Sequence, residues 1–114
     1  DQTTFNLFYT PTNTGVRELQ INPLLNHVAP SLQNGPLFIP ANSVKTFHAQ
    51  FTVPAAGSLI SVAPHMHLIG SSIKVFAVTL LNDTIPIVNI PQWDFHWQGF
   101  YTFQHVEKIP FGAK

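Results

Sequence analysis

Ten prolines and six glycines are scattered through the 114 residues at intervals too short for long helices. What lies between them alternates with a period of two, the signature of half-buried strands rather than of helices. Residues 3–10 set Phe5, Leu7 and Tyr9 against Thr4, Asn6 and Phe8, and Pro11 ends the run. A second strand is expected over 15–21. In 44–53, Phe47, Ala49, Phe51 and Val53 fall on one side, with Thr46, His48, Gln50 and Thr52 on the other, so His48 is expected to face solvent. Residues 58–69 read as a strand that Pro64 confines to a sheet edge or a bulge and Gly70 ends. Residues 72–81 and 84–90 are expected to form a hairpin about Asn82-Asp83, and 99–106 a further strand. Prolines at 23, 30, 36 and 40 leave 22–42 as an extended connection with a helical turn near 24–27. Residues 91–98 form a loop that carries both tryptophans. The pattern predicts an all-β domain, an antiparallel sandwich or barrel with almost no helix.

Composition narrows the functions. Five Lys and Arg balance five Asp and Glu without clustering, so no phosphate-neutralising patch exists and nucleic acid is not an expected partner. No apolar run approaches the length of about 20 residues that a membrane-spanning helix needs, so no membrane span is expected and the chain reads as soluble. The absence of cysteine excludes disulfides, thiolate metal sites and cysteine nucleophiles. Charged residues make up only 9% of a chain that is 45% hydrophobic, which suggests that part of the surface is covered by another domain or chain.

Histidine is therefore the richest source of chemistry. In Ala63-Pro64-His65-Met66-His67-Leu68 one residue separates two histidines, and on a strand both would leave the same face with α-carbons about 6.6 Å apart. Imidazoles so placed can converge on one ion, and imidazole suits copper, zinc, iron and nickel. The spacing also arises by chance on exposed strands. The expected neighbours on that face, Leu59, Ala63 and Ile69, are apolar, and histidines on an apolar face need a partner. Met66 would point the other way with Ile60, Val62 and Leu68, as a core residue. A third ligand would have to come from elsewhere, with His27, His96 and His105 as candidates. Trp93, Phe95, Trp97 and Tyr101 either cap one end of the core or form an aromatic platform for a carbohydrate or a protein. The carboxylates Asp83, Asp94 and Glu107 show no pairing, and neither a nucleophile turn nor a phosphate loop is present.

The stretches Val62-Ala63-Pro64-His65-Met66-His67-Leu68-Ile69-Gly70, Ile90-Pro91-Gln92-Trp93-Asp94-Phe95-His96-Trp97-Gln98-Gly99 and Lys108-Ile109-Pro110-Phe111-Gly112 together resemble the copper type II, ascorbate-dependent monooxygenases. The likeness is to bacterial relatives of the C-terminal domain of peptidylglycine hydroxylase. It implies a jelly-roll β-sandwich spanning 1–114 as a single domain, with 1–10 as the end of a preceding domain or a linker. It also implies copper held by His65 and His67, ascorbate or another reductant, a small-molecule or peptide substrate, and a periplasmic or secreted location. The family's third ligand, a methionine on a later strand, has no counterpart, since the one methionine here is Met66. The resemblance thus implies a fragment that is inactive by itself, completed by a neighbouring domain or strand of its parent protein and ending at an unpaired sheet edge near Ala113. The alternative is a non-catalytic copper-binding or structural β-sandwich module of a larger envelope protein.

Overall fold

Four segments rich in β-branched and aromatic residues find ladder partners. A computed structural model describes residues 2–12, 14–23 and 31–114. Within them lie β1 (Gly57–Val62), β2 (Ile73–Val78), β3 (Thr84–Ile90) and β4 (Tyr101–Ile109). Among the described residues there is no helix, and none therefore long and apolar enough to cross a membrane. The all-β expectation holds in the form of two antiparallel two-stranded sheets, β1–β4 and β2–β3.

The β2–β3 hairpin turns where Asn82-Asp83 predicted. Asn82 takes a left-handed φ of 65°, which asparagine tolerates. The Thr79 N–H donates to the Asp83 carbonyl (2.9 Å), and the Thr79 hydroxyl accepts from the Leu81 and Asp83 N–H groups (both 3.2 Å). Its register shifts between Val75 and Phe76, just where Pro86, which has no N–H to give, stands opposite Phe76. The other sheet joins segments about fifty residues apart in sequence: Gly57 faces Ile109, Val62 faces Tyr101, and the register shifts between Leu59 and Ser61.

The last three residues tie the sheets together. The Val53 N–H donates to the Ala113 carbonyl (2.8 Å) and the Gly112 N–H donates to the Val53 carbonyl (2.9 Å). Lys114 exchanges both backbone bonds with Val78 at the end of β2 (2.8 and 2.9 Å). Ala113 is completely buried, and with Ala77 and Trp93 it makes up the buried apolar core among the described residues. The expected unpaired edge near Ala113 is thus absent, because its carbonyl and its neighbours' amides are spent on Val53 and Val78.

Several expected strands do not form. Residues 3–10 and 15–21 are not strands: alternation prepares a segment for a sheet but cannot replace a neighbour, and no described residue in 2–23 has a ladder partner. Residues 44–53 form no strand, pairing through the isolated bridge of Ala49 to Leu32 and the bonds of Val53 to 112–113, although the alternation survives in exposure, with Phe47 and Ala49 half-buried and His48 exposed as expected. The strand expected over 58–69 stops at Val62, two residues before the proline that cannot donate. The helical turn near 24–27 lies outside the described residues.

Much apolar surface stays open. Phe5, Leu7, Phe8, Tyr9, Leu19 and Ile21 are exposed, and the chain presents 10229 Å² to solvent. A self-contained monomer of its mass would present about 6,200 Å². Stability therefore leans on the small junction at 112–114. Gly112 has φ 76°, and a methyl there would lie 3.1 Å from a Leu80 methyl. Gly112→Ala should cost about 1–2 kcal/mol through the left-handed backbone alone, and Ala113→Leu about 1–3 kcal/mol by overpacking. Urea unfolding midpoints check both; unchanged midpoints would mean that the junction does not hold the sheets together.

Candidate metal site

The histidine pair is carried by the connection between β1 and β2, not by a strand. Beyond Val62 the chain leaves the ladder, and His65 and His67 both stand exposed. Their rings nevertheless remain side by side, with centroids 5.2 Å apart and planes at 74°. The segment then turns back: the Gly70 N–H donates to the His67 carbonyl (2.9 Å). This turn needs glycine for space, since a methyl at position 70 would come within 2.8 Å of the Met66 β-carbon and 3.1 Å of its sulfur. Met66, half-buried, is packed against this turn.

Strand register brings the tryptophan loop to the pair. Val62 faces Tyr101 and Ser61 faces Thr102. Three residues on from Val62 and three residues back from Tyr101, the same register sets His65 opposite Gln98. Although the backbones have stopped pairing there, the side chains meet: His65 Nδ1 lies 2.6 Å from Gln98 Oε1. Gln98 Nε2 in turn donates to the Phe95 carbonyl at 2.6 Å. The loop is pinned by the Trp93 N–H donating to the Ser71 carbonyl (2.8 Å), and it folds on itself through the His96 N–H to Asp94 Oδ1 (2.9 Å).

The other candidates do not join. His96 lies 3.4 Å from the carboxylate of its own loop's Asp94, and His105 is exposed on β4. Among the described residues no third His, Asp or Glu completes a ligand group with the pair, and His27 lies outside them. The aromatic residues divide between the two expectations. Trp93 is buried, caps the core and leaves its indole N–H without a partner, whereas Trp97 is 75% exposed, so the four aromatics do not form one platform. Gln98 was not singled out from sequence, because a glutamine in a loop carries no signal until a register places it.

The pair suits an ion in kind and in spacing. Rings with centroids 5.2 Å apart could both reach one ion if a nitrogen of each turned toward it. An edge-to-face contact between two rings without any metal falls in the same range, so spacing alone does not separate the two. Metal titration does. Copper affinity should fall steeply in both His65→Ala and His67→Ala, since one remaining imidazole has lost the chelate, and it should weaken on acidification because a protonated imidazole has no lone pair to give. Gly70→Val should weaken binding too, by displacing Met66 and the His67 carbonyl. Affinity unchanged in both histidine variants would place the metal elsewhere.

Searches against family models, characterised proteins and solved structures gave no significant match. The resemblance to the copper monooxygenases rests on the motif residues, and what the site can do must be argued from its geometry.

Proposed function

We propose that this chain is the copper-binding domain of a copper type II monooxygenase-like protein, a jelly-roll-like β-sandwich in the intact protein, with His65 and His67 as the two protein ligands. The observation that carries this reading is the pair of exposed imidazoles 5.2 Å apart, one of them held by Gln98 at 2.6 Å. Copper bound there would supply dioxygen-dependent hydroxylation: one oxygen atom enters a substrate C–H bond, the other leaves as water, and ascorbate or another reductant provides two electrons alongside two protons. The chain's own part is to hold the ion through two borderline nitrogen donors, to orient one of them through the tryptophan loop, and to leave coordination positions open toward solvent. The substrate class is a small molecule or peptide, and the location periplasmic or secreted, as the resemblance implies.

A second reading, a non-catalytic copper-binding or structural module of a larger envelope protein, is favoured by one observation: only two donors stand together among the described residues. Two measurements separate the readings. Electron paramagnetic resonance of the copper-loaded chain should show hyperfine coupling to two imidazole nitrogens, reduced to one in His65→Ala. Oxygen uptake with ascorbate should stay at the free-copper background for this chain, whose described residues bring no third His, Asp or Glu to the pair, and should rise in a His65-dependent manner in a longer polypeptide that carries flanking sequence. Absence of the two-nitrogen signature would sink the monooxygenase reading and leave only a structural module; the signature without uptake in the longer polypeptide would favour a non-catalytic copper-binding one.

A further inference from the structure

We infer that Gln98 is a positioning residue that locks His65 in the Nδ1–H tautomer, so that Nε2 is the nitrogen left to bind an electrophile. The Phe95 carbonyl can only accept, so the Gln98 atom 2.6 Å from it must be the NH2 group, which leaves the amide oxygen toward His65. That oxygen can only accept, so His65 Nδ1, 2.6 Å away, must carry a hydrogen. Two acceptors at that distance would repel. A neutral ring with its proton on Nδ1 has its lone pair on Nε2, the reverse of the Nε2–H form that an unconstrained histidine favours in water.

Two features make this a built arrangement. The contact spans 33 residues of sequence, and it falls where the β1–β4 register, set by the shift between Leu59 and Ser61, projects. Among the described residues the His67 ring makes no hydrogen bond, so the lock acts on one ring of the pair while the other stays free to turn. A metal-bound histidine commonly donates its second ring N–H to an oxygen in this way, and loss of that partner costs about 10–100-fold in metal affinity. The identity of the electrophile rests on the copper reading; the tautomer does not.

The experiment is long-range proton–nitrogen NMR on the ¹⁵N-labelled, metal-free chain at a pH where all imidazoles are neutral. His65 should show a protonated Nδ1 and an unprotonated Nε2, and His67, as internal control, should show the averaged pattern of a free ring. Gln98→Leu should return His65 to the free pattern. Gln98→Glu keeps an acceptor for His65 Nδ1–H but loses the donor to the Phe95 carbonyl, so persistence of the Nδ1–H form there would assign the lock to the acceptor and not to the loop's anchoring. Copper affinity should fall at least about tenfold in Gln98→Leu and be retained in Gln98→Glu. An Nε2–H tautomer at His65 in the unsubstituted chain, or a lock that survives Gln98→Leu, overturns the inference whatever copper does. A locked tautomer in a chain that binds no copper upholds the inference and removes the copper reading.

Discussion

The backbone of residues 112–114 is what makes one body of two small sheets. Neither a two-stranded ribbon of six- and seven-residue strands nor one of six- and nine-residue strands is stable alone in water. Val53, which leads into β1, and Val78, which ends β2, both take their ladder partners from this one short stretch. Burial of Ala113 between them follows from the need to bring three backbones within hydrogen-bonding distance, for which only a small side chain leaves room. Gly112 supplies the left-handed turn that lets the chain reach both partners. Backbone pairing rather than side-chain burial makes this tie, the reverse of a domain built on a large apolar core.

The same economy governs the histidine pair. It lies where β1 ends and β4 begins, so both of its halves inherit their positions from one register. The shift between Leu59 and Ser61 inserts extra residues on β4, and without it the projected partner of His65 would be Tyr101 rather than Gln98. A register shift a few residues before the pair thereby decides which side chain meets the imidazole, in keeping with the way bulges re-aim side chains. Pro64 works in the same direction: by ending the ladder before the histidines, it frees their backbone to turn at Gly70 and keeps both rings clear of a neighbouring strand.

How much of this was legible in the sequence depended on whether a feature was local. The hairpin at Asn82-Asp83 was readable, because turn chemistry and the two flanking runs are contiguous. The closeness of His65 and His67 was readable from one intervening residue, but their place on a strand was not, because the weight of Pro64 depends on whether a partner strand continues past it. Residues 3–10 carry the alternation of a strand and are not one. Pairing is decided by a second segment that alternation cannot name. Gln98 stayed hidden for the same reason, since its meaning comes from a register shift on a strand that ends forty residues upstream of the strand it joins.

Exposure of the pair bears on what kind of site it can be. The sequence argument had the histidines needing a partner because an apolar face would leave them desolvated; in the structure water can satisfy both rings. The hydrogen bond from His65 to Gln98 is therefore not forced by burial, and it competes with water for a donor that has no need of it. Holding that geometry costs the entropy of a glutamine side chain, about 1.5–2 kcal/mol on the usual scale, against a net gain of about 0.5–1.5 kcal/mol for an ordinary hydrogen bond. Taken alone the contact is close to neutral for stability. Its physical consequence is directional: an Nδ1–H that donates to Gln98 leaves the lone pair of the neutral ring on Nε2, beside a second imidazole. That consequence has no use in packing and an immediate one in ligation, which weighs toward a binding role for the pair over a merely tolerated surface contact.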